Sequence, residues 1–270
     1  MEKLMLGKDI KKEVTFGCKS SLGECFSLVR RGHETCGDSA FIFLDDEKGI
    51  FGVFDGVSGE EGAETASSDA AIAALDVLKK YKKADAKAVS KALRTAGRAV
   101  TKGCTTAALC FVAKDGSTIV ASVGDSPVYG ITREKDIVLE LPLGRVVKKS
   151  NSVLKFFYFR NIVTSVLGPS GSEMHVHTRA GRLKKGEMIM LASDCLNDNL
   201  FVKVQEGYVV DATGTDDLKN IVGRLRKPRS ILEKISENIK KRIREGRKER
   251  KGEVLIPKND DLALIAFRFK

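Results

Sequence analysis

Residues 39–44 (SAFIFL) and 50–54 (IFGVF) are short apolar runs joined by the polar turn DDEKG, and they constrain the fold more than any other feature of the chain. Runs this short, rich in Ile, Val and Phe, are expected to pair as a β-hairpin. The device recurs. Residues 106–113 and 118–123 flank Lys114-Asp115-Gly116, and residues 12–19 and 24–30 flank Ser21-Leu22-Gly23. In the first hairpin, Asp38 stands just before one strand and Asp55 just after its partner, and antiparallel pairing brings those positions to one end of a sheet.

Two helices are predicted between the hairpins. Residues 62–82 place Ala63, Ala66, Ala70, Ala74, Leu75 and Leu78 on one face, and residues 85–101 do the same with Val89, Ala92, Leu93, Ala96 and Val100. Further strands are expected at 128–132, 137–141, 188–193 and 262–267. A helix is expected at 230–244, where Ile231, Ile235, Ile239 and Ile243 form an i, i+4 row. Residues 200–222 show no clear period and receive no assignment. In residues 145–160, Phe156, Phe157, Tyr158 and Phe159 lie among Lys148, Lys149, Lys155 and Arg160, a composition able to stack nucleic-acid bases. No second aromatic platform extends such a track, so a half-buried strand with solvated flanks is the expectation.

A chain of 270 residues, 42% hydrophobic and 31% charged, can bury a substantial core, and a large α/β sandwich suits its length. No apolar run approaches the roughly 18 residues of a membrane span, and the first residues lack the apolar stretch of a signal peptide. The six cysteines are scattered, with no CxxC pair and no His at zinc-ligand spacing. Reduced thiols and a cytoplasmic location are expected. The formal net charge of +11 favours an anionic partner. The basic segment 224–251 reads as a solvated helix face plus loop that helps steer a phosphorylated protein. Nucleic-acid binding and membrane binding are not expected.

Five aspartates, Asp38, Asp55, Asp125, Asp194 and Asp260, share one placement at the end of an apolar strand. Asp55-Gly56 by itself is an ordinary turn dipeptide, and each of the others has a similar account as a cap or turn residue. Five with the same placement point to a common rim. Carboxylates gathered there repel one another unless a cation neutralises them. Hard oxygen donors without His or Cys suit magnesium or manganese. Two such ions hold a bridging hydroxide and polarise a phosphoryl group for in-line attack.

Several segments, in order, resemble those of the type 2C (PPM) metal-dependent Ser/Thr protein phosphatases, especially small microbial members. VFDGVSGEEGAE is similar to that family's VFDGHGG or VADGMGG block. GCTTAALCFV with ASVGDSPVYGI is similar to its GSTA strand and ANVGDSR block. NIVTSVLG resembles NVLTRALG, GEMIMLASDCLND resembles GDxLLLCSDGLWD, and NDDLALIAFRF resembles the closing DNITVIVV strand. The resemblance covers residue 30 to the C-terminus.

It implies an α-β-β-α sandwich of two antiparallel sheets with helices outside. One phosphatase-like domain would span 1–270, with the basic segment 224–251 inserted before the final strand. The chain is expected to be a monomer hydrolysing phosphoserine and phosphothreonine, with two Mn2+ or Mg2+ ions and a third held more weakly. By the same resemblance Asp55 bridges two metals, the Gly56 carbonyl ligates one, and Asp194 and Asp260 complete a shell. Asp38 matches the Asp of the family's first acidic pair, with Asp38 and Asp55 the catalytic residues. Asp125, with Asp198, serves the third ion. Asp261 stands where the family has Asn, so the ligand is one of the pair Asp260-Asp261, with Asp260 in the better register.

The chain departs from the pattern at Gly37, which removes one carboxylate of the acidic pair, and at Val57, which replaces a His or Met. Cys195 replaces the Gly of SDG, and Pro127 the Arg of GDSR. His33 falls where the family's phosphate-binding Arg would be, and His33, Arg30 and Arg31 are the candidates to supply that contact. These departures support an alternative reading, an impaired pseudophosphatase that binds a regulatory partner.

Overall fold

The sheets grow from the predicted hairpins. The computed structural model describes residues 1–134, 136–145, 152–169 and 174–270. In chain order the first elements are β1 (Glu2–Met5), β2 (Glu13–Lys19), β3 (Gly23–Arg30), β4 (Asp38–Leu44), β5 (Lys48–Asp55), α1 (Ala63–Leu78) and α2 (Ala86–Ala99). Then come β6 (Ala107–Ala113), β7 (Ser117–Val123), β8 (Val128–Ile131), β9 (Ile137–Leu139), α3 (Val153–Phe159), β10 (His177–Arg182), β11 (Met188–Ala192) and α4 (Asp194–Asp198). The last are β12 (Val202–Gln205), β13 (Tyr208–Asp211), α5 (Thr215–Val222), α6 (Pro228–Glu245), β14 (Lys248–Arg250), β15 (Glu253–Leu255) and β16 (Leu262–Phe269).

One six-stranded sheet has the order β1-β4-β5-β6-β7-β10, and a second has the order β2-β3-β16-β11-β8-β9. Their inner faces pack together through Ile42, Phe51, Val53, Cys110, Val29, Ile265 and Phe267. The rings of Phe51 and Phe267 stack across this interior with centroids 4.8 Å apart. The alanine faces of α1 and α2 cover the first sheet against Phe41, Ile50 and Phe54. Small side chains let those helices lie close to the strands. The Ile231, Ile235 and Ile239 row of α6, with Leu218 of α5, covers the second sheet against Leu28, Met190 and Leu264. This is the four-layer α-β-β-α sandwich with both sheets antiparallel.

Three regions differ from the sequence expectation; one is the loop expected at the end of 224–251, where Lys248–Arg250 form β14 and pair with β15. Residues 153–159 form α3 and not a strand. The Ser152 hydroxyl accepts the Lys155 N–H at the helix start, and Phe156 is buried while Leu154 and Tyr158 are exposed. Strand alternation would have buried every second residue; the helix fully buries Phe156 alone. Lys148 and Lys149 lie outside the described residues.

The unassigned 200–222 region contains a hairpin and α5. Glu206 and Gly207, with φ of 51° and 83°, form its two-residue turn, as that hairpin type requires. Its strands belong to a small third sheet, β13-β12-β15-β14, which packs on Phe156 of α3.

Part of the basic character of α6 is structural. Arg242 is buried and bidentate to Asp217 of α5, at 2.6 and 3.0 Å. Among the described residues no helix is long and apolar enough to cross a membrane. The six cysteines are free and buried.

Replacing Phe51 with Ala removes one side of the inter-sheet stack. The variant should lose about 3–5 kcal/mol of stability in urea unfolding, and a loss under about 1 kcal/mol would contradict this account of the interior.

Candidate metal centre at the sheet edge

The β4–β5 register sets Asp38 opposite Asp55. Asp45 closes their turn, its Oδ1 accepting the N–H groups of Glu47 and Lys48 at 2.8 and 2.7 Å. Beyond β5 the chain must turn under the start of α1. A Cβ on Gly56 would lie 2.5 Å from the Ala63 carbonyl oxygen, so only glycine fits there. The Gly56 N–H donates to the Gly37 carbonyl, and Thr105 Oγ1 and Thr106 N donate to the Asp55 carbonyl.

The second sheet delivers its residues to the same edge. Strand β11 runs out through Ser193, whose Oγ accepts the Ala263 N–H and whose own N–H donates to the Ala263 carbonyl. The next N–H, that of Asp194, donates to Asp55 Oδ2 at 3.1 Å and ties the two sheets together. Strand β16 starts beside β3, with Leu262 opposite Arg30, so Asp260 and Asp261 stand at the same rim.

Each predicted residue takes a definite place. Asp38 is buried, and its Oδ2 has no hydrogen-bond partner among the described residues. Asp55 is half-buried. Asp260 Oδ2 lies 2.5 Å from Lys258 Nζ, and Asp260 Oδ1 lies 3.0 Å from His33 Nε2. Asp261 faces the preceding loop: Oδ1 accepts the Gly32 N–H and Oδ2 the Gly37 N–H, both at 2.6 Å. A Cβ on Gly37 would stand 3.4 Å from Asp261 Oδ2, so Asp261 supplies carboxylate charge beside the position that lacks one.

Asp125 meets a protein cation. Arg145 Nε donates to Asp125 Oδ2 at 2.8 Å, and Arg145 Nη1 lies 3.0 Å from Asp198 Oδ1. Arg160 Nε lies 3.6 Å from Asp198 Oδ2.

The three phosphate-contact candidates separate. Arg30 is buried and reaches Ser236 of α6. Arg31 is exposed and donates to the Glu34 carbonyl. His33, with its side chain 48% exposed, stands at the rim itself. Sequence reasoning missed Lys258, Arg145 and Arg160 as parts of this centre. Only the nearness of Lys258 to Asp260 hinted at any of them.

Burial and mutual repulsion set the electrostatics. Burial first, then the Asp261 charge, pushes the Asp38 carboxyl well above the ordinary range. Burial, then Asp194 and Asp38, does the same to Asp55. Burial and Asp198 push Asp194 up to about 7, although Lys258 opposes them. Asp198 is held low despite its burial, because Arg145, Arg160 and Lys258 surround it.

These observations test whether a metal suits the centre. Oxygen-only donors, the orphan Asp38 oxygen and the repulsion among Asp38, Asp55, Asp194 and Asp260 fit a hard divalent cation. The Asp125–Asp198 end does not fit one, because guanidinium groups already fill it. Among the described residues no three His, Cys, Asp or Glu side chains converge tightly enough to hold an ion as they stand. Lys258 lies among Asp194, Asp198 and Asp260 instead.

No protein-family profile and no curated protein sequence matches the chain. Solved structures do. RsbX, determined in complex with magnesium, superimposes with a TM-score of 0.60 at 18% identity, covering 95% of this chain and 100% of that one. The photosystem II phosphatase PBCP gives 0.60 at 19% identity, over 87% of this chain and 92% of its own. The PPM Ser-Thr phosphatase MsPP from Mycobacterium smegmatis, in complex with cacodylate, gives 0.61 at 14% identity, over 96% and 98%. The chain therefore has the fold of the type 2C phosphatases, along nearly its whole length.

The raised carboxyls make stability depend on pH. The folded state binds the Asp194 proton more tightly than the unfolded chain, whose carboxyl titrates near 3.9. That contribution is full below about 3.9 and is lost as pH rises through about 7. Asp38 and Asp55 act in the same direction. In chelator, the Tm should fall between about pH 5 and about pH 8, and Asp194→Asn should flatten part of that fall. A Tm rising across the interval would contradict the assignment.

Proposed function

We propose that this chain, in the fold it shares with type 2C phosphatases, is a metal-dependent phosphatase acting on phosphoserine and phosphothreonine in proteins. One observation carries the reading: both sheets deliver carboxylates to one rim, where Asp38 and Asp55 are crowded and incompletely neutralised. Asp38, Asp55, the Gly56 carbonyl, Asp194 and Asp260 would hold magnesium or manganese. When bound, the metal supplies Lewis-acid polarisation of the phosphoryl group and an activated water.

The protein's own part is positioning and proton handling. The Asp194 N–H fixes one oxygen of Asp55, which limits the directions in which that carboxylate can present its charge. Without metal, the buried Asp38 carboxyl is able to hold a proton on its orphan oxygen, since burial disfavours its charged form, and a bound cation would displace that proton. Val57 offers no imidazole beside the Asp-Gly turn. His33, on Asp260 Oδ1 and open to solvent, is the rim side chain suited to meet a phosphate or pass a proton. The positive net charge draws anionic phosphoproteins toward the surface.

A second reading has its own observation. Lys258, Arg145 and Arg160 already neutralise part of the rim, an arrangement that also suits a non-catalytic binding protein. Manganese calorimetry separates the two: the enzyme should give a saturable heat, and the binding protein none.

Asp55→Asn should reduce manganese-dependent release of phosphate from a phosphopeptide by a factor of about a thousand or more, with the fold intact by circular dichroism. Undiminished turnover in that variant would sink the mechanism.

A further inference from the structure

Lys258 projects from the segment between β15 and β16 into the acidic rim. Its Nζ lies 2.5 Å from Asp260 Oδ2, 3.7 Å from Asp194 Oδ2 and 3.9 Å from Asp198 Oδ2. Two of these carboxylates, Asp194 and Asp260, are residues assigned above to hold the metal. The ammonium therefore sits among oxygens that a divalent cation would need. Its backbone is held separately, since Asn199 Nδ2 donates to the Lys258 carbonyl at 2.9 Å. The side chain is 25% exposed, which leaves it a route to solvent without moving the loop.

We propose that Lys258 is a resident counter-ion that competes with divalent metal for Asp194 and Asp260. The proposal rests on the metal-centre reading given above and adds a regulatory consequence to it. Without metal, the ammonium partly neutralises the rim and keeps the fold stable. For an ion to enter, the ammonium must leave the carboxylates, so the lysine weakens metal affinity and sets the cation concentration at which the centre fills. Other basic side chains near the rim are placed differently. Arg145 and Arg160 are buried against Asp125 and Asp198, with no comparable exposure.

The test compares wild type with Lys258→Met and Lys258→Arg by manganese calorimetry, alongside the Tm with and without manganese. Lys258→Met should bind manganese about tenfold more tightly than wild type, while Lys258→Arg, which keeps the charge, should stay within about threefold. In chelator Lys258→Met should melt below wild type, and added manganese should close or reverse that gap. Lys258→Gln serves as the uncharged variant if methionine does not fold.

Equal or weaker manganese binding by a folded, uncharged variant would overturn the proposal. If manganese-dependent phosphatase activity persists alongside that result, the enzyme reading survives and only the role of Lys258 falls. No manganese binding by wild type or by the uncharged variant would overturn both.

Discussion

The backbone N–H of Asp194, at the end of a strand in one sheet, donates to the carboxylate of Asp55, at the end of a strand in the other. That contact crosses the seam of the sandwich. It requires the two sheets to be packed in one relative register, which the inward side chains of both faces supply. Once the sheets are so placed, Asp38 follows from its pairing with Asp55, and Asp260 and Asp261 follow from the pairing of β16 with β3 and β11. The rim is thus a consequence of strand register, and the alanine-faced helices and α6 hold that register from outside.

The same convergence creates an electrostatic problem. Charged groups are rarely buried without partners, because removing them from water costs more than an imperfect pairing returns. The protein meets this in three ways. Asp261 is anchored by backbone N–H groups. Asp125 and Asp198 face Arg145 and Arg160, and Asp194 and Asp260 face Lys258. Asp38 and Asp55 have the least compensation, and burial and repulsion raise both carboxyls well above the ordinary range. The protein leaves its own charge least balanced at the β4–β5 end of the rim.

Much of this was legible in the residues. The hairpins ending at Asp38, Asp55 and Asp125, the strand before Asp194 and the strand after Asp260 all follow from short apolar runs bounded by turn residues, which act over a few positions. The helical faces of α1, α2 and α6 follow from spacing alone. The 153–159 segment did not, because a short run of aromatics has no period that separates a helix from a strand. Packing of Phe156 against a third sheet decided it. That sheet was itself hidden, since its strands are three or four residues long.

The sequence by itself determined which residues stand at strand ends, and therefore which carboxylates could share a rim, because strand and turn preferences are local. Only the tertiary structure decided what faces them. Arg145 lies 20 positions from Asp125, and Arg160 lies 38 from Asp198. Lys258 reaches Asp194 and Asp198 across the gap between two strands of one sheet. Charge compensation depends on distance in space, and no pattern along the chain records it. The opening hairpin with Asp38 and Asp55 was visible from the start; the cations that temper their neighbours became visible only when the sheets closed.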